Sequence, residues 1–349
     1  MKKSTKPAER NYVFDILRII AMFMIVVHHF TVYNLGLMDK LTSDSGTISS
    51  IQATICIFIN CFLILGVNLF FMLSGYFGIK YDIKKFFKFI FQIYLTYTTV
   101  TVMGILTKNV PFNSETVLNI LNPFRQYWYL LAYAIIMLLA PALNKIVKAL
   151  TKKDVRRLIP IVILFFTIYP MFNDQILNFG RGYSLIWGII LYLTGAFIKK
   201  YRFKLRRGWL YYALFSTANA VMICLFCHFG HKLTGWSLFA YNNPLIYAAS
   251  ISLFAYFASI KRKITNPKLT SIINFYASST LMIYLLHSTC YLTMYQRKPI
   301  HLSLEYLGFA ITLLLIPLYA VFIMTVHSFV SVFYNKTVAK ALNIVLSNH

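Results

Sequence analysis

The sequence predicts an all-α fold, a polytopic bundle of about ten membrane-spanning helices. Of the 349 residues, 59% are hydrophobic, 17% aromatic and only 12% charged, whereas soluble domains are roughly 45 to 50% apolar and about 25% charged. A helix that crosses a bilayer needs about 20 mostly apolar residues, and such stretches recur along the chain. Short polar connections separate them, and the basic residues fall mainly in every second connection.

Each apolar stretch is bounded by a charged or turn-forming connection, and together they make one predicted membrane domain over residues 1–349. The predicted spans are 13–35, 51–78, 86–107, 127–144, 158–173, 183–198, 209–229, 243–260, 271–294 and 304–334. The first follows a short basic tail, and the last is long enough to cross the bilayer at a tilt. The spans at 158–173 and 183–198 are short, so a re-entrant segment is an alternative for one of them.

The distribution of basic residues orients these helices. With the N-terminus in the cytoplasm, the basic clusters all lie on that side; they are found at 2–10, 80–88, 145–157, 199–207, 261–268 and 336–340. Few basic residues lie outside, namely Lys40, Lys108, Arg125, Arg181, Lys232, Arg297 and Lys298. This positive-inside pattern accounts for the net charge of +25 without a nucleic-acid partner. It predicts a multi-pass protein of the cell membrane, with cytoplasmic tails at 1–11 and 335–349.

The first span contains four ionisable residues, Asp15, Arg18, His28 and His29. Such residues are costly inside a bilayer and indicate a functional site. At about 100° per residue, Arg18 and His29 share one helix face and lie about 16 Å apart along the axis, whereas His28 points about 100° away. Asp15, one turn before Arg18, can pair with it. Arginine suits phosphate, and histidine can act as a general base. The plainer alternative is an interfacial ion pair and two packing histidines.

Four motifs in order resemble the acyltransferase-3 family of integral membrane O-acyltransferases. The first is DxLRxxAxxxxVxHH, with Arg18 ten residues before His29, and the second is NLFFMLSGYF, with Ser74, Gly75 and Tyr76. YWYLLAYAIIMLLAPALN at 127–144 and LMIYLLHS at 281–288 follow. This sequence departs from the family pattern in one respect. The family often carries two arginines three residues apart after the second motif.

Lys85 and Lys88 stand at those two positions here, which keeps the charge but loses the bidentate fork. The resemblance implies an O-acetyltransferase with an acyl-CoA donor, usually acetyl-CoA, that enters from the cytosol. The implied acceptor is a hydroxyl of a cell-surface polysaccharide or of its lipid-linked precursor.

The resemblance also implies the site residues. The expected catalytic residues are His29, Arg18, Asp15 and His287, and the expected donor-binding residues are Arg18, Lys85, Lys88, Ser74, Gly75 and Tyr76. His287 lies about sixteen residues into its span, at nearly the depth of His29 in the first, so the two are expected to line one cavity.

Several alternatives remain open at this stage. A transporter or flippase of lipid-linked sugars also has many helices with intramembrane charges, and a sensor or scaffold protein is a third possibility. Cys224, Cys227 and His228 match a haem-attachment pattern, but they lie in an apolar helix and no metal or haem is expected. Ser74 is expected to serve close backbone packing or a helix break near the site rather than to act as a nucleophile. His327 is expected to have a structural role.

Overall fold

A computed structural model describes residues 10–42, 48–172, 180–230, 238–338 and 340. All regular structure in these residues is helical, which confirms the predicted all-α class. The helices are α1 Tyr12–His29, α2 Leu37–Thr42, α3 Ser50–Leu63, α4 Gly66–Phe77, α5 Ile83–Leu106, α6 Ser114–Leu121, α7 Trp128–Ala149, α8 Lys152–Ile161, α9 Tyr169–Phe172, α10 Leu185–Lys200, α11 Gly208–His228, α12 Pro244–Ser259, α13 Pro267–Ala277, α14 Thr280–Ser288 and α15 Cys290–Lys336.

The number of spans is lower than predicted when it is judged by length and composition alone. Seven helices of the described part are long and apolar enough to cross a bilayer, and the number becomes eight if α13 and α14 form one span. The difference arises at α10 and α12, which have 16 residues each, fewer than the roughly 20 that a perpendicular crossing needs. A count of about ten is therefore not confirmed, whereas the multi-pass membrane class is.

Two of the predicted spans are interrupted. The predicted span 271–294 is broken between α13 and α14, which are inclined by 41°. Ser278 and Ser279 at the break donate their hydroxyls to the carbonyls of Asn274 and Phe275, and such back-bonding by serine favours a bend. The last helix contains a second break at Gly308, whose φ of 77° is non-helical.

Helix α1 lies at the centre of the bundle, where it packs against α3, α4 and α12 to α15. Its Leu17, Ala21 and Val26 are fully buried. A π-helical turn over Phe30–Asn34 continues it directly after His29; such turns are frequently found at functional sites.

A close helix pairing joins α4 and α10. Gly75 faces the backbone of Tyr192, and Gly195 faces the backbone of Met72; a Cβ at either glycine would collide with the opposite main chain. Small residues at such contacts allow two helix backbones to approach. Asn68 strengthens the pairing, since its Oδ1 accepts a hydrogen bond of 3.2 Å from the indole of Trp187.

Candidate active site

The beginning of α1 holds a three-residue ion-pair cluster. The side chain of Asn11 caps the helix by accepting from the Val13 amide. One turn later the buried carboxylate of Asp15 contacts Arg18 Nη1 at 2.5 Å and Arg10 Nε at 2.6 Å. The predicted pairing of Asp15 with Arg18 is confirmed, and its effect is to hold the guanidinium in place. Arg10, which the sequence placed only in the basic tail, is the second partner of Asp15.

Arg18 opens into a cavity of about 380 Å³, here named the Arg18 cavity, whose polar side chains include Ser74, Tyr129, Tyr133 and Tyr284. Most of the remaining wall is apolar. A cation in a cavity with largely apolar walls suits a ligand with an anionic head and a largely uncharged arm.

The residues of the Ser-Gly motif have three different surroundings. Ser74 lines the Arg18 cavity, and its hydroxyl donates to the Phe70 carbonyl at 3.0 Å. Gly75 lies in the close contact between α4 and α10. The ring of Tyr76 packs against that of Phe14, with centroids 4.5 Å apart. Donor binding by these residues stays a prediction, but Ser74 is the one that reaches the cavity.

Lys85 and Lys88 lie near the start of α5 and are not among the residues that line the Arg18 cavity. Lys85 is exposed, with its Nζ 3.5 Å from Asp82 Oδ2. Hydrogen bonding to Lys85, chiefly from its backbone amide, lowers the pKa of the Asp82 carboxyl. Phe89, one turn after Lys85, does line the cavity. Contact of the two lysines with a phosphate stays a prediction.

The two predicted catalytic histidines lie side by side. The imidazoles of His29 and His287 are stacked, with centroids 5.1 Å apart and planes inclined by 13°. The break before α14 sets the direction of the short helix that carries His287. The expectation that these two histidines line one cavity is confirmed.

A hydrogen-bonded chain extends from His287 to the last helix. Its Nδ1 lies 2.9 Å from Gln296 Oε1, and Gln296 Nε2 lies 3.4 Å from His327 Nε2. Because an amide oxygen only accepts, the ring proton of His287 lies on Nδ1 in this arrangement. His287 Nε2 is buried with no hydrogen-bond partner in the described part of the chain. It is therefore a free proton acceptor.

His28 belongs to a different environment, as the helical periodicity predicted. Its Nδ1 lies 2.7 Å from Asn60 Oδ1, which also accepts a hydrogen bond from the Thr31 hydroxyl. All three side chains are buried. This cluster joins α1 to α3.

The histidine pair faces a second space of about 310 Å³, the His29 cavity, which is lined by His29, His287, Arg297 and an aromatic wall of Trp128, Tyr183 and Tyr241. In the wall, the rings of Trp128 and Tyr183 have centroids 4.9 Å apart, and those of Tyr183 and Tyr241 4.8 Å apart.

The Arg18 cavity and the His29 cavity meet at three residues. Ile25, Val67 and Tyr284 line both spaces, and each is at most 9% exposed. We call these three side chains the collar. Ile25 lies two turns beyond Arg18 and one turn before His29 on α1, so the collar separates a cationic site from a basic one along a single helix face.

Sequence reasoning did not place Gln296, Arg297 or Arg10 in the site. It also did not identify His327 as a partner of Gln296. The only local signal for the first two is a polar pair one helix beyond His287, in a segment that the sequence assigned to an outer connection. In the part of the chain that the structure describes, no three His, Cys, Asp or Glu residues form a group able to hold a metal ion.

Comparison with known proteins gives one match. The family model described as an acyltransferase domain, Acyl_transf_3, matches residues 11–332. That stretch begins at the cap of α1 and includes every residue of the two cavities described above. Searches of curated proteins and of solved structures find no match.

Proposed function

This chain belongs to the acyltransferase-3 family and is a membrane acyltransferase, and we propose that it moves an acetyl group from cytosolic acetyl-CoA to a hydroxyl of a cell-surface polysaccharide or of its lipid-linked precursor. The observation that carries this proposal is the pair of cavities that meet at the collar. One holds a cation, and the other holds two histidines.

The donor enters from the side on which the basic residues concentrate, which the positive-inside pattern assigns to the cytosol. Its phosphates bind at Arg18, whose orientation Asp15 maintains, and Lys85 and Lys88 add positive charge at the mouth. The pantetheine arm occupies the apolar Arg18 cavity and passes the collar. Arg18 and His29 are about 16 Å apart along α1, a span that an extended pantetheine arm covers.

His29 acts as the general base. It takes the proton of the acceptor hydroxyl while the oxygen attacks the thioester carbonyl, the carbon–sulfur bond breaks, and the proton passes to the departing thiolate. The products are the acetyl ester and CoA with a free thiol. His287, stacked on His29 with its Nε2 free, stabilises the arrangement and offers a second proton acceptor. An acyl-histidine intermediate is the alternative route.

One experiment tests the function as a whole. Cells that produce wild type, Arg18→Ala or His29→Ala at equal levels are compared for the ester-linked acetyl content of their surface glycans. We expect both variants to lose the acetyl groups that depend on the wild-type protein. Unchanged acetylation in both variants contradicts the proposed function and favours a transporter or flippase.

A second experiment separates the two mechanisms. The purified protein is mixed with radioactive acetyl-CoA in a single turnover without acceptor. Direct transfer predicts no labelled protein. Label that appears on the wild type and disappears in His29→Ala establishes an acyl-histidine instead.

A further inference from the structure

Arg297 is a cation in the His29 cavity to which the proposed mechanism gives no role. It lies one residue after Gln296 and lines the cavity together with His29 and His287. Its Nε is buried and has no hydrogen-bond partner in the described part of the chain. Among the described residues no carboxylate forms an ion pair with it.

The rest of the described lining of the cavity supplies no negative charge to balance Arg297. Its described lining contains no Asp or Glu, and its other ionisable groups are histidines and tyrosines. An arginine that is partly withdrawn from water without a counter-ion is costly, and inside a membrane protein such a residue marks a ligand pathway. In the part of the chain that the structure describes, no carboxylate pairs with this charge, so the ligand is the natural source of a counter-ion.

The aromatic wall of the same cavity indicates what kind of ligand this is. Trp128, Tyr183 and Tyr241 form a continuous aromatic surface, in which the rings of Trp128 and Tyr241 have centroids 5.8 Å apart at an angle of 30°. Aromatic faces with polar edges offer both stacking area and hydrogen bonds. A ring-shaped, hydroxyl-rich molecule that also carries an anionic group matches both the aromatic wall and Arg297.

We propose that the acceptor is an anionic glycan, and that Arg297 binds its carboxylate or phosphate and thereby places the reacting hydroxyl beside His29 and His287. This inference rests on the proposed function and adds the charge of the acceptor to it. The planar guanidinium binds carboxylate and phosphate alike in a two-pronged contact. The group belongs either to an acidic sugar of the polymer or to the phosphate of a lipid-linked precursor.

The first test identifies the charge of the product. Cells from which the gene has been deleted are complemented with wild type and labelled with radioactive acetate, and the glycans carrying alkali-labile acetyl groups are separated on an anion exchanger. We expect the wild-type-dependent label on retained, anionic material. Label in the organic-solvent extract indicates the phosphate of a lipid-linked precursor, and label in the extracted residue indicates an acidic sugar. Label on neutral glycan overturns the proposal, whereas no wild-type-dependent label on any glycan contradicts the proposed function instead.

The second test assigns the charge recognition to Arg297. The unacetylated anionic glycan from the deletion cells serves as acceptor for purified Arg297→Gln, Arg297→Lys and, as the matched control, Arg125→Gln, which removes an exposed arginine outside the cavity. We expect Arg297→Gln to raise the KM for this acceptor at least about tenfold, the loss of roughly one charged contact, with kcat nearly unchanged. Arg297→Lys recovers part of the affinity, and Arg125→Gln behaves as wild type.

Two results contradict this assignment. A fall in kcat with unchanged KM means that Arg297 stabilises the transition state rather than the acceptor. Unchanged kinetics in Arg297→Gln means that it binds neither. Equal donor-dependent thermal stabilisation of all variants verifies that a loss does not come from misfolding.

Discussion

The imidazole rings of His29 and His287 stack at a centroid distance of 5.1 Å, although they come from the first helix and from the broken helix near the end of the chain. Each ring therefore limits the position of the other.

If the two histidines act as a unit, their contributions to the rate are not additive. We expect His29→Ala to lower kcat by about 100-fold or more, and the double variant with His287→Ala to lose little beyond that. Steady-state kinetics on the two single variants and the double variant measure this, and fully additive losses contradict a joint role.

His28 provides the matched control for that experiment. Its contact with Asn60 joins α1 to α3 inside the bundle, and it does not line the His29 cavity. We expect His28→Leu to lower the free energy of unfolding by about 1 to 3 kcal/mol, because the side chain of Asn60 loses a buried hydrogen-bond partner. The kcat of the folded fraction should stay near that of wild type. Thermal unfolding and a rate per folded molecule separate the two effects, and a loss of kcat comparable with His29→Ala contradicts the separation.

The bridge from Gln296 to His287 and His327 predicts a positioning effect. Without the amide oxygen as acceptor, the Nδ1 proton of His287 is no longer fixed and its ring is free to turn. We expect Gln296→Leu to lower kcat about 10- to 100-fold and to leave both KM values nearly unchanged. His327→Leu should act more weakly, since it removes only the outer contact at 3.4 Å. A change in KM alone, or no change, contradicts the positioning role.

The collar predicts that the two cavities must communicate for transfer to occur. Val67 and Ile25 are nearly fully buried where the cavities meet, so a larger side chain there closes the passage. We expect Val67→Phe to abolish transfer while donor binding at Arg18 persists, as measured by protection of the protein against heat by acetyl-CoA. Val102→Phe, on a 41% exposed position of α5, is the matched control. Normal transfer in a folded Val67→Phe protein contradicts a donor path through the collar.

The neighbours Ser74 and Gly75 should respond in opposite ways to the same substitution. Ser74 donates to the carbonyl one turn before it and interacts with the hydroxyl of Tyr133. Ser74→Ala removes only this half-buried hydroxyl, so it is expected to keep activity within about threefold. Gly75→Ala forces α4 away from the Tyr192 backbone and should sharply reduce the yield and thermal stability of the protein. Complete loss of transfer in a folded Ser74→Ala protein would identify the serine as a nucleophile after all.

Sequence reasoning located the part of the site on α1 because its residues are close together in the sequence. Arg18, Asp15 and His29 lie on one helix, and a period of 3.6 residues fixes which of them share a face and how far apart they are. The same period separated His28 from His29 correctly. The depth of His287 also followed from helical rise, although the break at Ser278 and Ser279 was not evident because no glycine or proline marks it.

The rest of the site depends on which helices are neighbours. Gln296 and Arg297 were assigned to an outer connection, and His327 to packing, because nothing local shows that α15 folds back beside α14. The collar likewise combines one residue each from α1, α4 and α14. A sequence pattern does not show which residues of separate helices come into contact.

The sequence by itself determined the membrane class, the helical fold, the expected orientation and the face shared by Arg18 and His29, since composition and helical periodicity are properties of contiguous residues. Only the tertiary structure decided that His29 stacks on His287, that Gln296 holds that ring, and that Arg297 has no counter-ion among the described residues. These relationships depend on how closely the helices approach each other. That distance is set by contacts such as Gly75 against the Tyr192 backbone, which involve residues far apart in the chain.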